Sequence, residues 1–343
     1  MASEQRRSGD GSTPTIYDVA RECGVAPSTV SRAFSRPGRV NAVTAERIRQ
    51  TAARIGYRTN PIARALPTGR TSMIGLVVPD VTNPVYFEVI RGAEAAAAEA
   101  SFTMLLADTQ EQMRLEHEAI ERQMSVVEGF VLGTSRISDS ALRKVAKQRP
   151  LVVLNRPVAD VPSVAIDNAH GMRQAAEHLG ALGHRAITYV AGPEASWADG
   201  MRWRSLREAA LELNMRVRRL GPYPPTVPGG MAAVPSLRGG ATTAVVTYND
   251  LLAIGVLRGL QRIGVRVPDE MSVVGFDNIF GADLCSPALT TVAAPLRALG
   301  TAAVRELLAQ LRGAPARTGN SPFLPTRLVV RESTAPRPVR RRV

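Results

Sequence analysis

The chain has 343 residues, 45% of them hydrophobic and 21% charged, which is length and apolar content for two or three domains with buried cores and excludes a disordered polymer. Its net charge of +13 is concentrated at the ends: residues 1–70 hold 12 basic and 5 acidic groups, residues 71–335 hold 27 and 25, and residues 336–343 hold four Arg. Two distant cysteines, Cys23 and Cys285, exclude a disulfide scaffold, and the absence of a signal-peptide core or an apolar run of about 20 residues predicts a cytoplasmic protein without a membrane partner.

Residues 1–14 are polar and aperiodic and read as a flexible arm. Ile16, Val19, Ala20 and Cys23 then fall at i, i+3, i+4 and i+7, one face of a short helix that Thr15 caps and Gly24 ends. Pro27 stands where a first helical residue would, with Val30, Ala33 and Phe34 on the apolar face of a second helix and Ser28, Ser31 and Arg32 on the other. A third helix starts near Asn41, buries Ile48, Ala52 and Ile55, and stops at Gly56. Three short helices, the first two joined by a glycine turn, describe a helix-turn-helix unit over residues 15–58. The stretch NPIARALPTGR, within a linker at 59–70, holds about two helical turns, too few to be stable in water without a partner to pack against.

From residue 71 to 335 the pattern changes to short apolar runs alternating with amphipathic helices. One set contains MIGLVV (73–78), FTMLLA (102–107), GFVLG (129–133) and LVVLN (151–155); after SVAID (163–167), a second contains AITYVAG (186–192), TAVVTY (243–248) and SVVGF (272–276). Such runs predict an α/β fold with two doubly wound parallel sheets, each covered on both faces. GPYPPTVPGG (221–230) reads as a loop.

No G-x-S-x-G, P-loop or G-x-G-x-x-G motif is present, so no catalytic residues and no cofactor are assigned and the chain is not read as an enzyme. His117-Glu118-x-x-Glu121 lacks the second histidine of a metal helix, and His178 and His184 read as helix-end residues, so no metal ligands are assigned either. Ligands of open α/β sheets bind beyond the carboxyl ends of the strands. Those ends carry Asp80, Asp108, Asn155, Asn249 with Asp250, and Asp277, residues that also serve as ordinary helix caps. Together they suggest a polar cleft, to which Trp197 and Arg202 of SWADGMRWR would add a stacking plate and a donor fork.

The segments TIYDVARECGVAPSTVSRAF, VNAVTAERI, IGYRTNPIARAL, TGRTSMIGLVVPDVTNP, EHLGALGHRAITYVAGP, YNDLLAIGVLRGL and VPDEMSVVGFDN, in this order from about Thr15 to Val330, resemble the lac repressor/galactose repressor family of bacterial transcription regulators. The resemblance implies a helix-turn-helix domain, a hinge helix and a two-lobed effector domain like periplasmic binding proteins, working as a homodimer on pseudo-palindromic double-stranded DNA. It implies base reading by Pro27, Ser28 and Arg32, and backbone contacts by Thr15, Tyr17, Thr29, Ser31, Tyr57 and Asn60. Ala63 and Leu66 would enter the minor groove at the operator centre. For the effector site it implies Asp80, Asn83, Phe87, Asn155, Arg202, Asn249 and Asp277, beside Trp197.

The expected division places lobe 1 at about 71–166 and 293–322, lobe 2 at about 167–290 and 323–331, and a basic tail at 336–343. The expected function is a repressor of sugar uptake or catabolism genes switched by a small molecule, a sugar. The alternatives are a purine or other non-sugar co-repressor and, in another class, a solute-binding protein, which the N-terminus disfavours. Without a leucine-heptad tail after Val330, a dimer is expected rather than a tetramer.

Overall fold

The computed structural model describes residues 14–35, 37–57, 70–237, 242–316, 318 and 323–337. Contacts divide the chain into two units, Met1–Ser72 and Met73–Val343. The hinge residues Asn60, Ala63 and Leu66 and the last six residues of the basic tail lie outside the described residues.

In the first unit, α1 (Ile16–Cys23), α2 (Pro27–Ser35) and α3 (Ala42–Ile55) enclose a small core of Val19, Ala20, Cys23, Val30, Ala33, Ala45, Ile48 and Ala52. The Asp18 carboxylate accepts both the Thr15 N–H at 2.9 Å and the Thr15 hydroxyl at 2.7 Å, fixing the start of α1 and holding the Asp18 pKa down. Gly24 takes φ +59°, a conformation costly for other residues, and its N–H returns to the last carbonyls of α1. Asn41 caps α3 by accepting the Val43 N–H at 2.9 Å.

The second unit contains two six-stranded sheets. The first comprises β1 (Met73–Val78), β2 (Thr103–Asp108), β3 (Gly129–Gly133), β4 (Leu151–Leu154), β5 (Ser163–Ile166) and β11 (Phe323–Leu324), in the order β11-β5-β4-β3-β1-β2 with all pairs parallel. The second comprises β6 (Ala186–Val190), β7 (Arg216–Leu220), β8 (Ala244–Thr247), β9 (Ser272–Asp277), β10 (Thr290–Ala293) and β12 (Arg327–Val329), in the order β12-β10-β9-β8-β6-β7, with only β12 antiparallel. The helices are α4 (Val85–Glu99), α5 (Met113–Gln123), α6 (Asp139–Gln148), α7 (Asn168–Ala181), α8 (Trp197–Glu212), α9 (Val227–Leu237), α10 (Asp250–Arg262), the single turn α11 (Gly281–Leu284) and α12 (Leu296–Leu311).

Helices α4 and α12 cross almost backbone to backbone. A Cβ on Gly92 would lie 2.0 Å from the Arg297 carbonyl oxygen, and one on Gly300 would lie 2.0 Å from the Val89 oxygen. The chain passes between the sheets near Asp167, Ala294 and Pro325, and the first and third crossings are tied together: Asp167 N–H donates to the Leu324 carbonyl and the Thr326 hydroxyl donates to the Asp167 carbonyl, both at 2.8 Å.

Three expectations are corrected. β11 pairs with β5, so residues 323–324 belong to the first sheet and the second lobe resumes only at β12. The segment 221–230 is not all loop, because α9 begins at Val227, and the strand β7 (RVRRL) is an edge strand whose charges hid it. The histidines close the end of α7 through their backbones, His184 N–H donating to the Leu179 carbonyl at 3.0 Å, but their side chains do not cap it. His178 bonds the Thr334 hydroxyl at 2.9 Å, and the fully buried His184 bonds Thr243, Ser272 and the Ala335 carbonyl at 2.8–3.1 Å, clasping the segment after β12 to the second sheet. Burial lowers both histidine pKa values.

Candidate functional site

On the first unit, α2 presents Ser28 and Arg32 to solvent, with Pro27, Thr29 and Ser31 half-buried beside them. Pro27 costs α2 nothing at its first position, where no helical acceptor awaits an N–H. Tyr17 on α1 is 68% exposed, an aromatic phenol on a surface with no apolar reason to hold it. Tyr57 instead leans on the core, its ring 6.0 Å from that of Phe34. The first unit therefore offers an exposed helix with a guanidinium fork and hydroxyls, the donor set that major-groove edges and phosphates accept.

On the second unit, a cavity of about 40 Å³ lies between the carboxyl ends of the two sheets. That is room for a few waters. Its walls come from nearly every such end: Asn83, Val85 and Tyr86 after β1, Glu111 after β2, Thr134 and Arg136 after β3, and Asn155 after β4. From the second sheet come Ala198 and Arg202 after β6, Pro225 after β7, Tyr248 and Asn249 after β8, and Asp277 at the end of β9. A doubly wound sheet spreads its loops at this edge, so two such sheets facing each other make one site.

Arg202 anchors the second lobe's half. Its Nε donates to Asn168 Oδ1 at 2.9 Å, its Nη1 to the Tyr248 carbonyl at 2.5 Å and its Nη2 to Asp277 Oδ1 at 3.2 Å, while the guanidinium lies 3.6 Å from the Phe276 ring centre. Burial pushes the Asp277 carboxyl up to about 6 against the pull of Arg202. Behind it Asp250, which accepts the Thr291 hydroxyl at 2.5 Å and the Ile279 N–H at 2.9 Å, is pushed up to about 8 by burial and by the Asp277 charge.

The first lobe's half is built on a second ion pair. Arg136 donates through Nε and Nη2 to Glu111 Oε2 at 2.9 and 2.6 Å, and the Tyr86 hydroxyl donates to Thr134 Oγ1 at 3.2 Å. Four wall residues, Glu111, Thr134, Asn155 and Asp277, hold positive φ, out of ten such non-glycine residues among those described. Backbone strain of this kind gathers where a site fixes its side chains.

Of the expected effector residues, Asn83, Asn155, Arg202, Asn249 and Asp277 line the cavity. Three do not. Asp80 turns onto its own loop, accepting the Thr82 N–H at 2.8 Å and the Thr82 hydroxyl at 2.6 Å. Phe87 stacks at 6.2 Å on Phe280 from the other lobe, both rings remaining largely exposed. Trp197 opens α8 half-buried while its neighbour Ala198 takes the wall position, so the stacking surfaces at the cavity are Tyr86 and Tyr248. Sequence reasoning missed Glu111 and Arg136. The available signal was Arg136 standing three residues beyond the end of GFVLG, the same place relative to a strand as the polar residues that were found.

Among the described residues, no group of three metal-ligating side chains occurs and no helix is long and apolar enough to cross a membrane.

Residues 15–60 match the model of the bacterial regulatory proteins of the lacI family, and residues 176–334 match a periplasmic binding protein-like domain. The HTH-type transcriptional regulator DegA of Bacillus subtilis is 32% identical over 94% of this chain and 98% of its own. The lac repressor dimer bound to operator superposes with a TM-score of 0.84 at 26% identity, covering 94% of this chain and all of that one. A LacI family regulator of Enterococcus faecium with bound ribose superposes with a TM-score of 0.69 at 32% identity over 77% of this chain and 99% of its own. With an exposed-arginine helix unit at one end and a cleft between paired parallel sheets in the other, this chain belongs to the lacI family of bacterial transcription regulators.

Proposed function

We propose that the protein is a cytoplasmic, homodimeric transcriptional repressor, without enzymatic activity, whose grip on operator DNA is switched by a sugar held between the two lobes of the second unit. The observation that carries this is the convergence of strand ends from both sheets on the Arg202–Asp277 pair, in a chain that also bears a helix with Arg32 free to reach base edges. Arg32 reads a base, Ser28 and Pro27 flank it, and Thr15, Tyr17, Thr29, Ser31, Tyr57 and Asn60 hold the phosphate backbone and set the register. Ala63 and Leu66 wedge the minor groove, where an apolar side chain unstacks a base step and bends the duplex. A ligand that favours one arrangement of the lobes shifts the dimer between DNA-binding and released forms by its difference in affinity for the two.

The carbohydrate complexes of family members, such as the ribose-bound Enterococcus regulator, support a sugar effector. The test is a mobility-shift assay on the DNA upstream of the chain's own gene, with and without a sugar panel. Retardation at low salt that a sugar relieves or strengthens is expected; no retardation by folded protein overturns the reading. With Leu66→Ala, the bend measured by circular permutation should shrink; an unchanged bend removes the wedge.

A further inference from the structure

The cavity is unevenly supplied with hydrogen-bonding groups. Most of its acceptors are already engaged within the protein, though each carboxylate binds through one oxygen only. Asn83, Asn155 and Asn249 turn their Oδ1 atoms to the N–H groups of Val85, Ile166 and Leu252 at 3.0–3.2 Å, Thr134 Oγ1 receives the Tyr86 hydroxyl, Glu111 is taken by Arg136, and Asp277 by Arg202. What Asn83 and Asn155 offer a ligand is therefore an amide N–H pair each. Arg136 is the sharper case. Its side chain is only 8% exposed, Nε and Nη2 are bonded to Glu111, and Nη1 is buried with no partner. An unpaired buried donor is costly to the fold, and more so when charged. Burial also opposes the guanidinium charge, an opposition that Glu111 outweighs.

A neutral sugar hydroxyl is both donor and acceptor, and against the first-lobe wall of Arg136, Asn83 and Asn155 it meets chiefly N–H groups. A carboxylate or phosphate accepts only, and forms the stronger charge-assisted bonds. Resting on the proposal of a sugar effector, we infer that the natural ligand is an acidic sugar, a polyol bearing a carboxylate or phosphate group. Once the lobes part beyond the few-water cavity of this structure, its anionic group meets Arg136 Nη1 at the first lobe, while its hydroxyls reach the Arg202–Asp277 pair at the second. Glu111 serves as the internal counterion that the ligand's charge competes with.

Isothermal titration of the full-length protein with matched probes tests this: gluconate and galacturonate, glucose 6-phosphate, and the neutral glucose and galactose. At least one acidic probe should bind ten-fold or more tightly than its neutral parent; preference for a carboxylate or for the phosphate identifies which group. Arg136→Gln should erase that ratio, and Glu111→Gln, which removes the competing charge, should raise affinity for the acid several-fold. Binding of neutral sugars alone overturns the acid assignment and leaves the sugar-responsive regulator standing. No binding by either kind overturns both.

Discussion

Arg202 Nη2 stands 3.2 Å from Asp277 Oδ1, with 5% and 8% of the two side chains exposed. Coulomb attraction between buried ions does not by itself repay their desolvation, but removing one partner is expensive because the other is left unpaired. Arg202→Leu should therefore destabilise the second unit by about 3–5 kcal/mol in urea titration at pH 8. At pH 5 the loss should be smaller. Without Arg202 the Asp277 pKa, already about 6 in the intact protein, rises further and the carboxyl protonates instead of standing as a lone charge. Equal losses at the two pH values would show that the arginine acts by packing on Phe276 rather than by pairing.

Asp250 gives a pH dependence with a definite sign. Its folded pKa of about 8 lies above the ordinary carboxylate value of 3.8, so the neutral carboxyl is the form the fold prefers. The stability it contributes is complete below about pH 4 and is lost as pH rises to about 8, at about 1.4 kcal/mol per pH unit. Asp250→Asn keeps the shape and removes the titration. The stability of this variant minus that of the parent should climb by about that slope from pH 5 to pH 7 and level off above pH 8. Taking the difference cancels His178 and His184, whose lowered pKa values act in the opposite direction over the same range. A flat difference would mean that Asp250 is ionised throughout.

The layout of the second unit was legible because apolar runs buried on both faces leave an unmistakable alternation with helices, and β1, β3, β4, β5, β6 and β8 all fall within runs visible in the sequence. Strand ends then located the cleft. What the pattern could not supply was which residue of each loop turns inward. Asp80, one residue into its turn, is consumed by Thr82, whereas Asn83, three residues later, reaches the wall. Glu111 gave no signal and Arg136 only its distance from GFVLG, and the positive φ at Glu111 and Thr134 falls on residues that carry no glycine signal. The helix-turn-helix was easier because its turn needs a residue at φ +59°, and Gly24 supplies it.

Two helical glycines with different surroundings should respond oppositely to alanine. Gly300→Ala puts a Cβ 2.0 Å from the Val89 carbonyl oxygen, so α4 and α12 must separate. A loss of about 1–3 kcal/mol is expected in urea. Gly200, on α8, has nothing within 4 Å of such a Cβ and an exposed position. Gly200→Ala should stabilise by up to about 1 kcal/mol, through the unfolded chain's lost freedom and better helix propensity. Stabilisation by both variants would place the α4 and α12 crossing further apart than described.

The roles proposed for Arg32 and Tyr17, reading and holding, can be separated. Both are exposed on the first unit, Arg32 on α2 and Tyr17 on α1. A guanidinium paired with guanine O6 and N7 loses its partner on the wrong base, so Arg32→Ala should cost about 1–3 kcal/mol on the cognate operator, far less on random DNA, and relax the sequence preference at one position of each half-site. In the proposed role Tyr17 meets phosphate whatever the sequence, so the smaller loss in Tyr17→Phe should be the same on both DNAs. Fluorescence anisotropy on the two duplexes over a range of salt concentrations measures all four affinities. The salt slope should survive both changes if Arg32 neutralises no phosphate, and a slope reduced by about one unit in Arg32→Ala, with equal loss on random DNA, would make Arg32 a backbone contact and move base reading elsewhere on α2.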